Sequence, residues 1–451
     1  MSEHIDLSPN PIAHIRTLSS IGYNLNSAIA DIIDNSITAQ AKNIWVDAEI
    51  RGNSVKLRIT DDGFGMSRDE LIENMRISCR DPFEERHEND LGRFGSGMKT
   101  ASFSQAKILT VISKTSGSSP AVAIWDLNFV EEKNAWLIRL PQVEQFNLLY
   151  QEEINSLSSG TTLIWEQIYR YSDLNEGEIE TTVSADIAAL KKFLSLYFHK
   201  FLQSGLRIFI NRQAITPIDP FLTKSKGYQE GPSQSFRVKK GGKVEIRVHT
   251  LPHESKLTKK ELDDLGGPGE LTANQGLYVY RSNRLIIAGG WHGLTQWTQL
   301  GKLARVEVNV PASLDSEWGT DVKKATLEIP TKIRTKLKQL IQDPIKRSKR
   351  SYRYRGQVEE ANSFWDIREN DREATVTYEL SRDNNRLKDI LEHVDKETAD
   401  KLVAYLIDVS STLPINHIYE KMSSKPNSID QTKIEFSDLL KEVEHLWKKQ
   451  D

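Results

Sequence analysis

Residues 92–103 read GRFGSGMKTASF, with glycines at 92, 95 and 97 and a lysine, Lys99, at a predicted helix start. Successive backbone N–H groups in such a loop form an anion nest. The following helix N-terminus adds positive potential, and a lysine there can neutralise phosphate charge. The order GxxGxG is neither the GxxxxGK[ST] phosphate loop nor the dinucleotide GxGxxG. A flexible glycine loop has the same composition, so the neighbouring segments must decide.

Upstream, residues 54–66 read SVKLRITDDGFGM. Alternation predicts a strand through Thr60, and Gly63 and Gly65 permit a tight turn with close backbone approach to a ligand. The strand end sets Asp61 at a cleft rim, where its carboxylate can accept a hydrogen bond from an amino group such as adenine N6. An ordinary strand-to-helix turn has the same pattern. Further upstream, residues 22–41 are predicted helical: Ile29, Ile33 and Ile37, with Ile32, form an apolar stripe, while Asp31, Asn35 and Thr38 share another face. A carboxylate and a carboxamide one turn apart can hold a metal-bound phosphate and its attacking water, although a solvated helix face would look alike. Downstream, Gly160-Thr161-Thr162 opens the strand LIWE.

Taken in order, helical DxxxN, DxGxG after a strand, GxxGxG before a helix and GT on a late strand resemble the GHKL ATPases. That superfamily includes DNA gyrase B, the ninety-kilodalton heat-shock chaperones, histidine-kinase ATP domains, MutL and MORC proteins. The resemblance covers residues 20–170 and implies an α+β chain whose first domain is a GHKL (Bergerat) α/β sandwich binding ATP and Mg²⁺. Position by position, it implies that Asn35 binds Mg²⁺, that Asp61 reads adenine, and that Gly63, Gly65 and Met66 form the turn against the nucleotide. Gly92, Arg93, Phe94, Gly95, Ser96 and Gly97 match the ATP lid, Met98 and Lys99 follow it near the phosphates, and Thr161 or Thr162 is the threonine near adenine and phosphate. Relatives that hydrolyse ATP usually carry glutamate where this chain has Asp31. The carboxylate is the same base with one methylene less reach, which implies slow or lost hydrolysis with binding little affected.

Residues 206–221 (LRIFINRQAITPIDPF) resemble the ribosomal-S5-like transducer domain that follows the ATP site in MutL, gyrase and MORC proteins. GLYVYRSNRLI at 276–286 and the lid look most like MORC proteins and their bacterial relatives. In this superfamily a transducer lysine reaches the γ-phosphate, and Lys323 or Lys324 in the DVKK loop is the candidate; a surface lysine pair is the alternative. The resemblance implies an ATP-gated head-to-head homodimer with its N-terminal arm crossing over. It further implies DNA clamping or remodelling, as in bacterial anti-phage defence. The rivals are a chaperone-like switch acting on a protein partner through residues 356–451 and a scaffold that binds ATP without turnover.

The chain has 451 residues, 60 Lys plus Arg against 63 Asp plus Glu, 38% hydrophobic and 27% charged residues. This balance suits folded domains, excludes a globally basic nucleic-acid coat, and leaves room for local patches. One cysteine, Cys79, excludes an internal disulfide framework and a cysteine-rich zinc site. His249 and His253, separated by Pro252, do not share a helix face as zinc ligands would. With no apolar leader and no run of about 18 apolar residues, no membrane segment is expected and the expected compartment is the cytoplasm.

The expected divisions are an N-terminal arm (1–20), the ATP domain (21–170), the transducer (171–330), and a basic linker with a helical C-terminal region (331–451). The arm is expected to be too polar for a core role. Strands are predicted at 43–50, 107–114, 121–128, 134–140, 160–166, 206–210, 237–251, 276–288 and 304–310, and helices at 187–203, 379–410 and 431–448. Residues 331–355 carry ten Lys or Arg against one acid, Asp343. Lys346, Arg347, Lys349, Arg350, Arg353 and Arg355 are the DNA-phosphate candidates, with Tyr352 and Tyr354 available for stacking. A solvated helix face would read the same.

Overall fold

The structure is a computed structural model. It describes residues 9–20, 22–77, 97–141, 157–237, 243–267, 269–298, 301–311, 329, 331–353, 364–370, 375–381, 383–415 and 418. The chain divides into two compact units, residues 1–352 and residues 353–451.

The first unit opens with α1 (Pro11–Ser19) and α2 (Leu25–Thr38), then β1 (Asn43–Arg51), β2 (Ser54–Asp61) and α3 (Arg68–Met75). There follow α4 (Gly97–Gln105), β3 (Ala106–Lys114), β4 (Ala121–Asp126), α5 (Leu127–Lys133) and β5 (Gly160–Ile168). Next come α6 (Glu176–Tyr197), α7 (His199–Gln203), β6 (Arg207–Ile210) and β7 (Gln213–Ala214). Local chemistry sets the helix starts. Asn24 with Ser27, Ser67 with Glu70, and Asn175 with Glu178 each form a capping box, satisfying N–H groups that the first turn leaves unpaired.

Among the described residues the first sheet runs β4-β3-β5-β2-β1-β6-β7 and is antiparallel except where β6 lies parallel to β1. Val111 of β3 enters the main core with Ile29, Ile33, Phe103, Trp165 and Leu190, whereas its neighbour Ile112 forms a small cluster with Ile164. Successive strand residues face opposite sides, so the helices cover one face with the large apolar residues.

Four expectations change here. Residues 134–140 are no strand: Arg139 makes a single bridge to Ile124, and Leu127 and Asn128, expected to end the strand 121–128, instead open the helix Leu127–Lys133 capped by Asp126. The helix predicted from 187 begins at Glu176, because Asn175 caps it. The first sheet continues past residue 170 to Ala214, since β6 pairs with β1. The arm, expected to be too polar for a core role, contains α1, whose Ile15 is fully buried in the main core. One apolar residue per turn suffices when the helix lies flat on a groove, so mean polarity misjudged this segment.

A second sheet follows: β8 (Gln229–Arg237), β9 (Lys243–Thr250), β10 (Gly276–Arg281), β11 (Arg284–Ala288) and β12 (Ala304–Val310), with the short helices α8 (Lys259–Asp264) and α9 (Glu270–Ala273) between β9 and β10. Its order is β11-β10-β12-β9-β8. Of the expected strands, 237–251 contains β9 and the last residue of β8, with 238–242 outside the described residues, whereas 276–288 is a chain reversal at Ser282 and Asn283, both in left-handed backbone. Two such residues suit a tight two-residue hairpin. The alternating apolar residues of β9, Val244, Ile246 and Val248, pack with Val306 and Val308 beneath Ile333, Leu337 and Ile341 from α10 (Thr331–Leu340) and the turn after it. α11 (Gln342–Arg353) ends the unit.

The second unit was expected to be helical. It also contains a hairpin, β13 (Trp365–Asn370) with β14 (Thr375–Leu380), before α12 (Asn385–Glu392) and α13 (Lys396–Ser411). The predicted helix 431–448 lies outside the described residues. Among the described residues no helix is long and apolar enough to cross a membrane.

Candidate nucleotide site

Asp61 stands at the last position of β2, opposite Thr161 of β5. It is only 6% exposed. Oδ2 accepts the Ser36 hydroxyl proton at 2.8 Å, and Oδ1 accepts the Gly63 amide at 2.9 Å. Burial raises the Asp61 pKa above its ordinary value, against the opposing pull of the Ser36, Gly63 and Thr161 hydrogen bonds. Ser36 was not singled out in the sequence. It lies on the buried side of α2, just after Asn35, and an apolar residue would be the ordinary occupant there.

The DDGFG turn is held by close backbone approach. Gly65 has φ +69°, and a Cβ there would lie 2.0 Å from the Lys114 carbonyl oxygen; Gly160 has φ +151°, and its Cβ would meet the Asp61 carbonyl at 2.1 Å. Both positions therefore demand glycine. Asp62 secures the other side by accepting the Lys42 and Asn43 amides at 2.7 and 2.8 Å. Ser113, also missed, joins the pieces. Its hydroxyl accepts the Met66 amide at 2.8 Å, and lies 2.8 Å from the Thr161 hydroxyl and 3.2 Å from the Gly160 carbonyl. Thr161 shares the Asp61 register, whereas Thr162 faces Thr60 with hydroxyls 3.1 Å apart and is 3% exposed.

On α2, Asp31 Oδ2 accepts a hydrogen bond from the Tyr23 hydroxyl at 2.5 Å. It also lies near the start of α4: a Cβ on Gly97 would be 3.9 Å from Oδ2. Asn35, one turn on, is exposed. Asp34 turns elsewhere and accepts from Arg284 of β11 at 3.0 Å. Burial pushes its pKa up to about 6, outweighing the Arg284 charge.

Lys99, which the resemblance sets near the phosphates, has a protein partner. It is 2% exposed, and its ammonium donates to the Asn74 carbonyl at 2.6 Å, at the C-terminal end of α3. Cations favour such helix ends, which compete with phosphate for this lysine. Met98 packs half-buried against the main core. Gly92, Arg93, Phe94, Gly95 and Ser96 of the expected lid lie outside the described residues, as do Lys323, Lys324, Cys79 and Arg355.

Asp61, Ser36, Gly63, Gly65, Gly160 and Thr161 are thus brought together where β2 ends and β5 begins, and α2, which supplies Ser36, also carries Asp31 and Asn35. Residues 23–161 match the family of histidine kinase-, DNA gyrase B- and HSP90-like ATPases. The chain carries a GHKL ATPase domain. The stretch similar to ATPase morc-1 of Caenorhabditis elegans is 30% identical over 98 residues, 22% of this chain and 11% of that protein. Similarity to MORC family CW-type zinc finger protein 3 of Mus musculus is 29% over 139 residues, 30% of this chain and 14% of that protein. The matched stretches span only 11% and 14% of these two relatives.

Among the DNA candidates, Arg347 is already engaged. Its guanidinium pairs with Asp343 at 3.0 Å and donates to the Glu230 carbonyl at 3.0 Å. Lys346 is exposed, and Lys349, Arg350 and Arg353 lie on the last turns of α11 with side chains outside the described residues.

Proposed function

We propose that the chain binds Mg-ATP at the face formed by α2, the turn after β2 and the start of α4, and hydrolyses it slowly. The observation that supports this best is the buried Asp61 carboxylate, anchored by Ser36 and Gly63 beside Thr161. Each carboxylate oxygen accepts one of these bonds and keeps further lone-pair capacity, so an adenine amino proton can be taken without releasing either anchor. The residues fit magnesium as well. Mg²⁺ beside a triphosphate needs only one or two protein oxygens, and the exposed Asn35 carbonyl oxygen would hold it. Bound Mg²⁺ would neutralise triphosphate charge. Asp31, oriented by Tyr23, is the group to accept the proton of the attacking water. The chemistry otherwise needs positioning more than covalent help.

Titration with ATP tests the site directly. Asp61→Asn should abolish binding, and Asn35→Ala should weaken Mg-ATP more than metal-free ATP. Unchanged ATP binding by Asp61→Asn overturns the assignment.

In the same reading the second sheet acts as a transducer, with Lys323 or Lys324 reporting the γ-phosphate. ATP closes a homodimer in the cytoplasm, and DNA is held through α11 with little sequence preference. Phosphate contacts carry no base information. Replacing Lys346, Lys349, Arg350 and Arg353 with alanine should flatten the salt dependence of DNA binding by up to about 0.9 per lost contact. A second reading, action on a protein partner, has its own support. On α13, Tyr405 and Val409, one turn apart, are 65% and 44% exposed, and no residue of that helix is buried. An apolar surface of this kind is a feature of protein-binding sites. An unchanged salt slope in the alanine variant favours this second reading.

A further inference from the structure

The ATP chemistry above leaves one acid of α2 unused. Asp34 Oδ1 accepts from Arg284 Nε at 3.0 Å, and the two side chains are only 15% and 7% exposed. Arg284 is the first residue of β11, immediately after the left-handed pair Ser282 and Asn283, so the hairpin register determines where its guanidinium emerges. Aromatic rings enclose that guanidinium. The Phe198 ring centre is 4.1 Å away and that of Tyr197 5.5 Å, at the junction of α6 and α7. Its Nη1 also donates to the Leu285 carbonyl at 2.6 Å.

An ion pair this enclosed adds little net stability, because desolvation cancels much of the attraction. What it does supply is registry, since removing either partner leaves a buried charge alone. Three elements therefore meet at one point: α2, the α6–α7 junction and β11. Asp34 comes three residues after Asp31 and immediately before Asn35. Any rotation of α2 that moves Asn35 must also move the carboxylate gripping Arg284.

We propose that Arg284 is a positioning residue of the nucleotide site: through Asp34 it sets the orientation of α2, and hence of Asp31 and Asn35, against the second sheet. The proposal rests on the reading that Asn35 and Asp31 face the triphosphate. It gives the second sheet a contact with the site independent of the lysine loop at 323–324. Arg284 touches neither substrate nor metal in this account. It acts through Asp34. A lysine would keep the charge but lose the planar group that lies against the Phe198 ring.

The test uses the full chain as wild type, Arg284→Lys, Arg284→Met, Asp34→Asn and the charge-free double variant Asp34→Asn/Arg284→Met. ATP affinity, phosphate release, melting temperature, and hydrogen exchange of residues 276–288 with and without a non-hydrolysable ATP analogue are read together. Nucleotide should slow exchange across 276–288 in the wild type. That response should vanish in Arg284→Met and Asp34→Asn, with phosphate release lowered about tenfold, within the usual range of inter-site coupling. The double variant should recover melting temperature without recovering the exchange response, a split that a purely structural role does not make. Arg284→Lys should resemble Arg284→Met in exchange response. Recovery of response and stability together overturns the proposal, as does wild-type nucleotide binding that leaves 276–288 unaltered. Wild type that binds no ATP overturns the site reading itself, which is a separate result. Where phosphate release is too slow to measure, the exchange comparison decides.

Discussion

Asp31 and Asp34 sit three residues apart on α2 in opposite surroundings. Tyr23 holds Asp31 beside the start of α4, while Arg284 holds Asp34 against the second sheet. The difference assigns them different work. Asp31→Asn keeps size and a hydrogen-bonding oxygen but cannot take a proton. It should therefore still bind nucleotide while phosphate release falls by about 10²–10⁴-fold, the usual worth of a positioned base. Paired assays of ATP affinity and phosphate release check this, and wild-type turnover in the variant refutes it. The motif spacing is what singles out Asp31, Asn35 and Asp61 as candidates. Ser36, Ser113 and Tyr23 escaped it, since each is an ordinary polar residue whose role exists only through a partner brought up from another segment.

At the scale of elements, α1 shows how burial overrides composition. Ile15 is fully buried, yet Arg16 next to it pairs with Glu131 with side chains 65% and 54% exposed. Ile15→Ala should cost about 2–5 kcal/mol, the usual penalty for emptying a packed site. Arg16→Ala should cost less than about 1 kcal/mol, because solvent screens the pair. Urea unfolding of the two variants tests the contrast, and equal midpoints would mean that α1 does not dock.

Across the whole first unit, a polar network joins α7 to the second sheet. Lys200 Nζ reaches Glu307 at 2.6 Å and Asn309 at 3.1 Å, and His249 Nε2 lies 3.2 Å from the other Glu307 oxygen. Burial pulls the Glu307 pKa up, but the His249 hydrogen bond and the Lys200 charge together hold it well below the ordinary 4.5. A carboxylate with a depressed folded pKa adds stability that is fully present above its unfolded value and lost as pH falls below it. Asp61 and Asp34, both raised by burial, act in the opposite sense on acidification. Melting temperature should therefore be compared between wild type and Glu307→Gln from neutral pH to below pH 4.5. The gap should be widest near neutrality and shrink in acid; a gap independent of pH refutes the assignment. At the same scale, sedimentation should show ATP converting monomer or open dimer to a closed dimer, since a ligand shifts only states that it binds unequally. An unchanged mass at micromolar protein rules out nucleotide gating.

The ordered motifs by themselves determined the GHKL domain, because each glycine and acid in them answers to local backbone geometry or to the ligand, and local demands survive in linear spacing. Gly65 and Gly160 are legible for that reason: no side chain fits there. The strand and helix periods located most elements. The docking of α1 and the return of β6 to β1 were missed, since they depend on surfaces far away in the chain; the Asn175–Glu178 cap is local and was hidden by the polar, turn-rich stretch around it. Only the tertiary structure decided that Lys99 turns to Asn74, that Arg347 is taken by Asp343 and Glu230, and that Asp34 belongs to Arg284, 250 residues away. Long charged side chains reach several neighbours, and which partner they take is settled by packing and desolvation, neither of which is written in the order of residues.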